Sequence, residues 1–140
     1  MSPLPDYSPQ QLRLGPLEAE VMDIIWHHNP VTVRDIHDQI LSDPDRELAY
    51  ASVTTVLNRL EKKGWITRQR QGKLYYWRSR LSRADAQVLQ AHHQLQAFLA
   101  VSNPDIVAAF VDSLDATSLE QLDAIAQRLH SLRQTRESDA

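Results

Sequence analysis

Tyr50-Ala-Ser-Val-Thr-Thr-Val-Leu-Asn-Arg-Leu-Glu-Lys-Lys-Gly-Trp-Ile-Thr-Arg-Gln-Arg-Gln-Gly-Lys-Leu-Tyr-Tyr-Trp-Arg-Ser-Arg80 is the stretch that decides the fold. Its first half places Val53, Val56, Leu57 and Leu60 at i, i+3, i+4 and i+7, the spacing of a helix with one buried face. Lys62 and Lys63 fall in the last turn, where cations complement the helix dipole, and Gly64 stands where a left-handed cap is expected. Two β-prone segments follow, Trp65-Ile66-Thr67 and Leu74-Tyr75-Tyr76-Trp77. Arg70-Gln71-Gly72-Lys73 forms the turn between them.

A helix leading directly into a basic hairpin predicts a winged-helix module. At 100° per residue, the face opposite the apolar stripe displays Ala51, Thr55, Asn58, Arg59 and Lys62, with Ser52 and Thr54 on its flanks. Small side chains permit close approach to DNA, Asn and Arg can pair with base edges, and Lys neutralises phosphate. Arg68, Arg70 and Lys73 place positive charge on the wing. Such a face is often only a solvated helix surface; the adjoining basic hairpin is what favours DNA.

Charge distribution supports that choice, although the total does not. The chain carries a formal net charge of −3. Arg46 to Arg80 contains nine basic residues and two acidic ones, Glu47 and Glu61, a local +7 that leaves −10 for the remainder. A basic module in an acidic chain concentrates phosphate affinity on one surface.

The 140 residues, 42% of them apolar, allow one ordinary domain or a small domain with an appended element. The absence of cysteine excludes disulfides, thiolate metal sites and thiol redox switches. No signal-peptide pattern or apolar run of membrane-spanning length is present, so a cytoplasmic protein without a membrane partner is expected.

Along the chain, residues 1–13 contain Pro3, Pro5 and Pro9 and little to pack, and predict a mobile arm. Residues 14–80 form the DNA-binding domain. Pro16 suits an early helical position, Leu17, Val21, Ile24 and Ile25 make an apolar stripe, Trp26 is a core anchor, and Asn29-Pro30 stops the helix. Thr32 with Asp35 predicts the cap of a second helix, whose buried face is Val33, Ile36, Ile40 and Leu41. Residues 81–136 read as a helical dimerisation region and 137–140 as a tail. A helix spans Ser82 to Val101, Ser102-Asn103-Pro104 breaks it, and a further stripe contains Ile106 and Phe110. A last helix carries Leu119, Leu122, Ile125, Leu129 and Leu132. These helices have too little partner surface of their own, which favours pairing with another copy through Phe98, Ile106, Phe110, Leu122, Ile125 and Leu129. The expected fold is mainly α with a small β-hairpin wing: a winged helix-turn-helix followed by a helical dimerisation region.

From about Leu14 to Leu132 the chain resembles the penicillinase-repressor family, the BlaI/MecI group of bacterial transcriptional repressors. The resemblance is carried by Leu17-Glu18-Ala19-Glu20-Val21-Met22 with Trp26, Pro30-Val31-Thr32-Val33-Arg34-Asp35-Ile36, and Ala49-Tyr50. It continues through Thr54-Thr55-Val56-Leu57-Asn58-Arg59-Leu60-Glu61-Lys62-Lys63-Gly64-Trp65 and Gly72-Lys73-Leu74-Tyr75-Tyr76-Trp77. The resemblance implies a homodimer on a palindromic operator. In antibiotic-responsive members it also implies an upstream sensor protease and cleavage at an Asn-Phe bond; Phe110 matches that Phe, but Ala109 precedes it. Copper-responsive relatives use a cysteine-rich tail, which this chain lacks.

Adjacent histidines, as in His27-His28 and His92-His93, point about 100° apart on a helix and do not form a chelate alone, so no metal or other cofactor is expected. No phosphate loop, zinc-protease helix or nucleophile elbow suggests an enzyme. Three readings remain: a homodimeric repressor, a ligand-sensing winged-helix regulator with a small-molecule site in the dimer region, and a winged helix used for protein contacts.

Overall fold

The computed structural model describes residues 4–101 and 103–139. Met1 to Pro3 of the expected arm, Ser102 of the expected helix break and Ala140 of the tail lie outside them. The described elements are α1 (Pro16–His28), α2 (Val33–Leu41), α3 (Tyr50–Lys63), β1 (Ile66–Gln71), β2 (Leu74–Ser79), α4 (Arg83–Leu99), α5 (Pro104–Asp112) and α6 (Ala116–Ser138). The chain divides into two compact units, the first ending at Ala97 and the second beginning at Phe98.

In the first unit, local chemistry sets the helix ends. Gly15 N–H donates to Glu18 Oε1 at 3.0 Å. Thr32 and Asp35 exchange two hydrogen bonds, Asp35 N–H to Thr32 Oγ1 at 3.1 Å and Thr32 N–H to Asp35 Oδ2 at 3.0 Å. This reciprocal cap satisfies two donors that the first helical turn leaves free. Ser82 caps α4 by accepting from Asp85 N–H at 3.0 Å.

The core lies between α1, α2, α3 and the hairpin. Val21, Met22 and Ile25 of α1 meet Ile36 of α2 and Val53, Leu57 and Leu60 of α3, all fully buried. Leu41, expected on the buried face of α2, is instead 38% exposed. It follows Ile40 by one residue, which rotates it about 100° from the Ile36–Ile40 line.

β1 and β2 pair antiparallel from Ile66 opposite Ser79 to Gln71 opposite Leu74, leaving Gly72 and Lys73 as a two-residue turn. Gly72 has φ 63°, a conformation that favours glycine. The α1–α2 connection joins this sheet, because Val31 N–H donates to Trp77 O at 3.1 Å and Trp77 N–H to Val31 O at 2.7 Å. Trp26 meets Trp65 edge-on at 6.4 Å, and its Nε1 donates to Ser79 Oγ and Leu81 O, each at 3.0 Å.

Two sequence expectations change here. The segment read as an unpacked arm through residue 13 is held from Tyr7 onward: Pro9 is buried, and Tyr7 and Leu12 pack against the core. The division after Arg80 does not coincide with the limit of packing either. Leu81, Ala86 and Leu89 belong to the core of the first unit, since the start of α4 supplies apolar surface that three short helices and one hairpin lack.

The second unit contains α5 and α6. Asn103 Oδ1 accepts from Asp105 N–H at 2.9 Å and Asp115 Oδ1 from Ser118 N–H at 2.7 Å, capping both. Phe98 and Phe110 lie 4.9 Å apart. Neither α5 nor α6 has a buried residue among those described.

Candidate nucleic-acid interface

α3 buries Val53, Val56, Leu57 and Leu60 and leaves Ala51, Thr55, Asn58, Arg59 and Lys62 exposed, with Ser52 and Thr54 half-buried at the flanks. The face read from the 3.6-residue period is therefore the solvent face. Thr55 Oγ1 donates to Ala51 O at 3.0 Å, so its hydroxyl is bonded back to the helix's own backbone.

Two contacts fix the approach to this helix. Arg46 holds Glu20 of α1 through Nη1–Oε1 and Nη2–Oε2 contacts of 2.8 and 3.1 Å. His37 Nε2 lies 2.7 Å from Leu48 O, and its ring meets Tyr50 edge-on at 5.7 Å. Both tie the α2–α3 connection to the preceding helices.

The far end closes with Gly64 at φ 94°, where Gly64 N–H reaches Leu60 O and Glu61 O at 3.1 Å and Trp65 N–H reaches Leu60 O at 3.0 Å. This left-handed cap turns the chain sharply from α3 into β1. Trp65 and Trp77 are buried, whereas Tyr75 is 45% exposed and Tyr76 half-buried.

The basic residues divide into two groups. Lys63 pairs with Glu18, Arg46 with Glu20, and Arg68 with Glu61 at 3.6 Å. Arg68 also lies 5.0 Å from the Tyr75 ring centre and 5.9 Å from that of Trp77, so it is held back along the wing. Arg59, Lys62, Arg70, Lys73 and Arg78 form no ion pair among the described residues and are all exposed. Arg70 Nε donates to Gly72 O at 3.1 Å, which braces the wing turn beside Lys73. Arg78, opposite Thr67, is a further exposed cation on the wing beyond the three singled out from sequence; its place in a β-prone basic segment was the available signal.

Burial pushes the Glu18 carboxyl up, but the hydrogen bonds from Lys63 and Gly15 N–H and the charges of Lys63 and Arg59 outweigh it. Its pKa lies below the ordinary glutamate range. Among the described residues, no group of three or more His, Asp or Glu side chains is placed to hold a metal ion. No helix among them is long and apolar enough to cross a membrane.

Of the other residues predicted from sequence, Ile106, Phe110, Leu122, Ile125 and Leu129 are 40–56% exposed on α5 and α6, while Phe98 is half-buried.

The penicillinase repressor family model matches residues 14–130. The transcriptional regulator BlaI of Mycobacterium tuberculosis is 42% identical over 64 residues, which cover 45% of this chain and 45% of that regulator, less than half its length. The penicillinase repressor of Bacillus licheniformis is 22% identical over 117 residues, covering 84% of this chain and 89% of that repressor. The solution structure of the DNA binding domain of the repressor BlaI aligns with a TM-score of 0.47 at 20% identity, over 56% of this chain and 93% of that one.

Proposed function

Because this chain belongs to the penicillinase repressor family, we propose that it is a sequence-specific DNA-binding transcriptional repressor acting as a homodimer on a palindromic operator. The observation that carries the reading is the exposed face of α3, with Asn58 and Arg59 available for base edges and the unpaired cations Lys62, Arg70 and Lys73 around them. Asn and Arg present the paired hydrogen-bonding groups that the major groove selects, and cations at the rim hold phosphate without reading sequence. Ser52, Thr54 and Thr55 sit on the same helix as close-range contacts, and Arg68 supports the wing more than it reaches outward. The relatives from Mycobacterium tuberculosis and Bacillus licheniformis, a transcriptional regulator and a penicillinase repressor, are in keeping with this role.

Dimer formation is supported by the apolar side chains that α5 and α6 leave in solvent, among them Ile106, Phe110, Leu122, Ile125 and Leu129. An exposed apolar surface of this kind marks an association site. A two-fold pair presents two copies of α3 to two half-sites about one helical turn apart.

The experiment is selection of genomic DNA fragments by the purified protein, with its mass in solution measured in parallel. A dimer enriching a palindrome with half-sites about 34–36 Å apart is the expected result. A monomer, or a dimer enriching nothing above random DNA, overturns the proposal.

A further inference from the structure

The segment Tyr7–Arg13 runs across the joint between α3 and the hairpin and touches both ends of the hairpin. At the entry, Tyr7 Oη donates to Gly64 O at 2.5 Å, Gln11 N–H donates to Lys63 O at 3.3 Å, and Trp65 Nε1 donates to Gln11 O at 2.8 Å. At the exit, the Arg80 guanidinium lies 4.3 Å from the centre of the Tyr7 ring, and Arg80 N–H donates to Trp65 O at 3.0 Å. Lys63 Nζ donates to Arg13 O at 2.9 Å, closing the far side.

The fit is close. A Cβ added at Gly64 would stand 3.0 Å from Tyr7 Oη, 3.2 Å from Gln10 N and 3.3 Å from Pro9 Cα. Gly64 thus serves two needs, the positive φ of the α3 cap and the approach of this segment. The carbonyls of Lys63 and Gly64 lie beyond the reach of the helix's own ladder, and the segment supplies their donors.

We propose that Tyr7–Arg13 is a strap that sets the angle between the hairpin and α3, with Tyr7 a positioning residue for DNA binding through its grip on Gly64 and Arg80. The proposal rests on the DNA-binding reading above. Trp65, Ile66 and Trp77 anchor the base of the hairpin in the core, Val31 pairs with Trp77, and Arg68 meets Glu61 of α3, while the exposed tip at Gly72 and Lys73 lies outside those ties. Fastening the hairpin's entry and exit to one segment further limits rocking of that tip against α3, so Lys73 meets phosphate while Asn58 and Arg59 meet bases. The entropic cost of aligning the two is then met on folding rather than on binding.

A double-mutant cycle on the full chain tests this, with affinity measured on the operator recovered by selection and on random DNA. Lys73→Ala in the unaltered chain is expected to weaken operator binding roughly fivefold through loss of one phosphate contact. Tyr7→Ala is expected to weaken it about as much. In the Tyr7→Ala background, Lys73→Ala is expected to cost less than twofold, because a rocking tip is no longer held on phosphate. A purely structural role for the strap gives independent effects, so a full fivefold loss in both backgrounds overturns the proposal.

Where Tyr7→Ala fails to fold by circular dichroism, Tyr7→Phe keeps the ring over Arg80 and removes only the bond to Gly64 O. The same cycle with that variant then decides, and additive losses again overturn the strap. An unaltered chain that binds no DNA, or one indifferent to Lys73→Ala, overturns the DNA-binding reading or the wing's part in it. Either result overturns the strap with it, and is distinguished from an additive cycle by the unaltered chain alone.

Discussion

Lys63 Nζ stands 2.9 Å from both carboxylate oxygens of Glu18, joining the end of α3 to the start of α1. Lys62, one residue earlier, is exposed and forms no ion pair among the described residues. Two adjacent lysines therefore do different work, one holding the fold and the other facing solvent beside Asn58 and Arg59. Lys63→Ala is expected to lower stability by about 1–3 kcal/mol, since it leaves a largely buried carboxylate without its cation. It should lower the salt slope of DNA binding less than Lys62→Ala does, because Lys63 Nζ is engaged by Glu18 and Arg13 O. Lys62→Ala should do the reverse, with stability held and the salt slope reduced by about one. Urea unfolding and affinity titrations across salt concentration measure both; a salt slope that falls equally for the two variants contradicts the division.

The same pair gives the protein an acid limit. The Glu18 carboxyl has its pKa held down in the folded state by Lys63, Gly15 N–H and Arg59 despite its burial. A carboxylate with a lowered folded pKa contributes stability that is complete above its unfolded value, about 4.3, and lost as pH falls through the folded value. Glu18→Gln should therefore be less stable than the unaltered protein at pH 7, and the two should converge as pH falls below about 4. Denaturant midpoints measured from pH 7 to pH 3 check this; a gap that is constant with pH assigns the loss to packing instead.

Asn58→Ala and Arg59→Ala are expected to weaken binding to the cognate site by about 1–3 kcal/mol while leaving random DNA nearly unaffected. Both residues are exposed on the outward face of α3. Lys73→Ala should weaken cognate and random DNA alike, since a phosphate contact carries no sequence information. Competition titrations with both DNAs separate the two behaviours; equal losses on cognate and random DNA for Asn58→Ala would remove it from base readout.

The features legible in the sequence are those whose partners lie nearby in the chain. The faces of α3 follow from a 3.6-residue period, the cap at Gly64 from a single residue, and the wing from two β-prone runs around Gly72. The Thr32–Asp35 cap involves three residues of separation. The strap was not legible, because Tyr7 meets Gly64 and Gln11 meets Trp65 across more than fifty residues, and a polar segment with prolines has no period to announce a docked surface. Counting charge places Lys63 and Arg68 in the basic segment but does not reveal that Glu18 and Glu61 pair with them. The change in composition after Arg80 marks the end of the hairpin, but burial of Ala86 and Leu89 depends on which surface the other helices leave uncovered.

α6 offers the cleanest test of association, because none of its described residues is buried and substitutions on it cost the monomer little packing. Ile125 and Leu129 are 54% and 56% exposed and one helical turn apart, so they share a face. Ile125→Asp with Leu129→Asp places two charges on that face; desolvating them in an interface costs several kcal/mol. The double variant is expected to sediment as a monomer at concentrations where the unaltered chain is a dimer, with its helical circular dichroism preserved. Its affinity for an isolated half-site should match that of the unaltered chain, while binding to the full palindrome drops to the half-site level. A variant that remains dimeric would place the interface away from this face of α6.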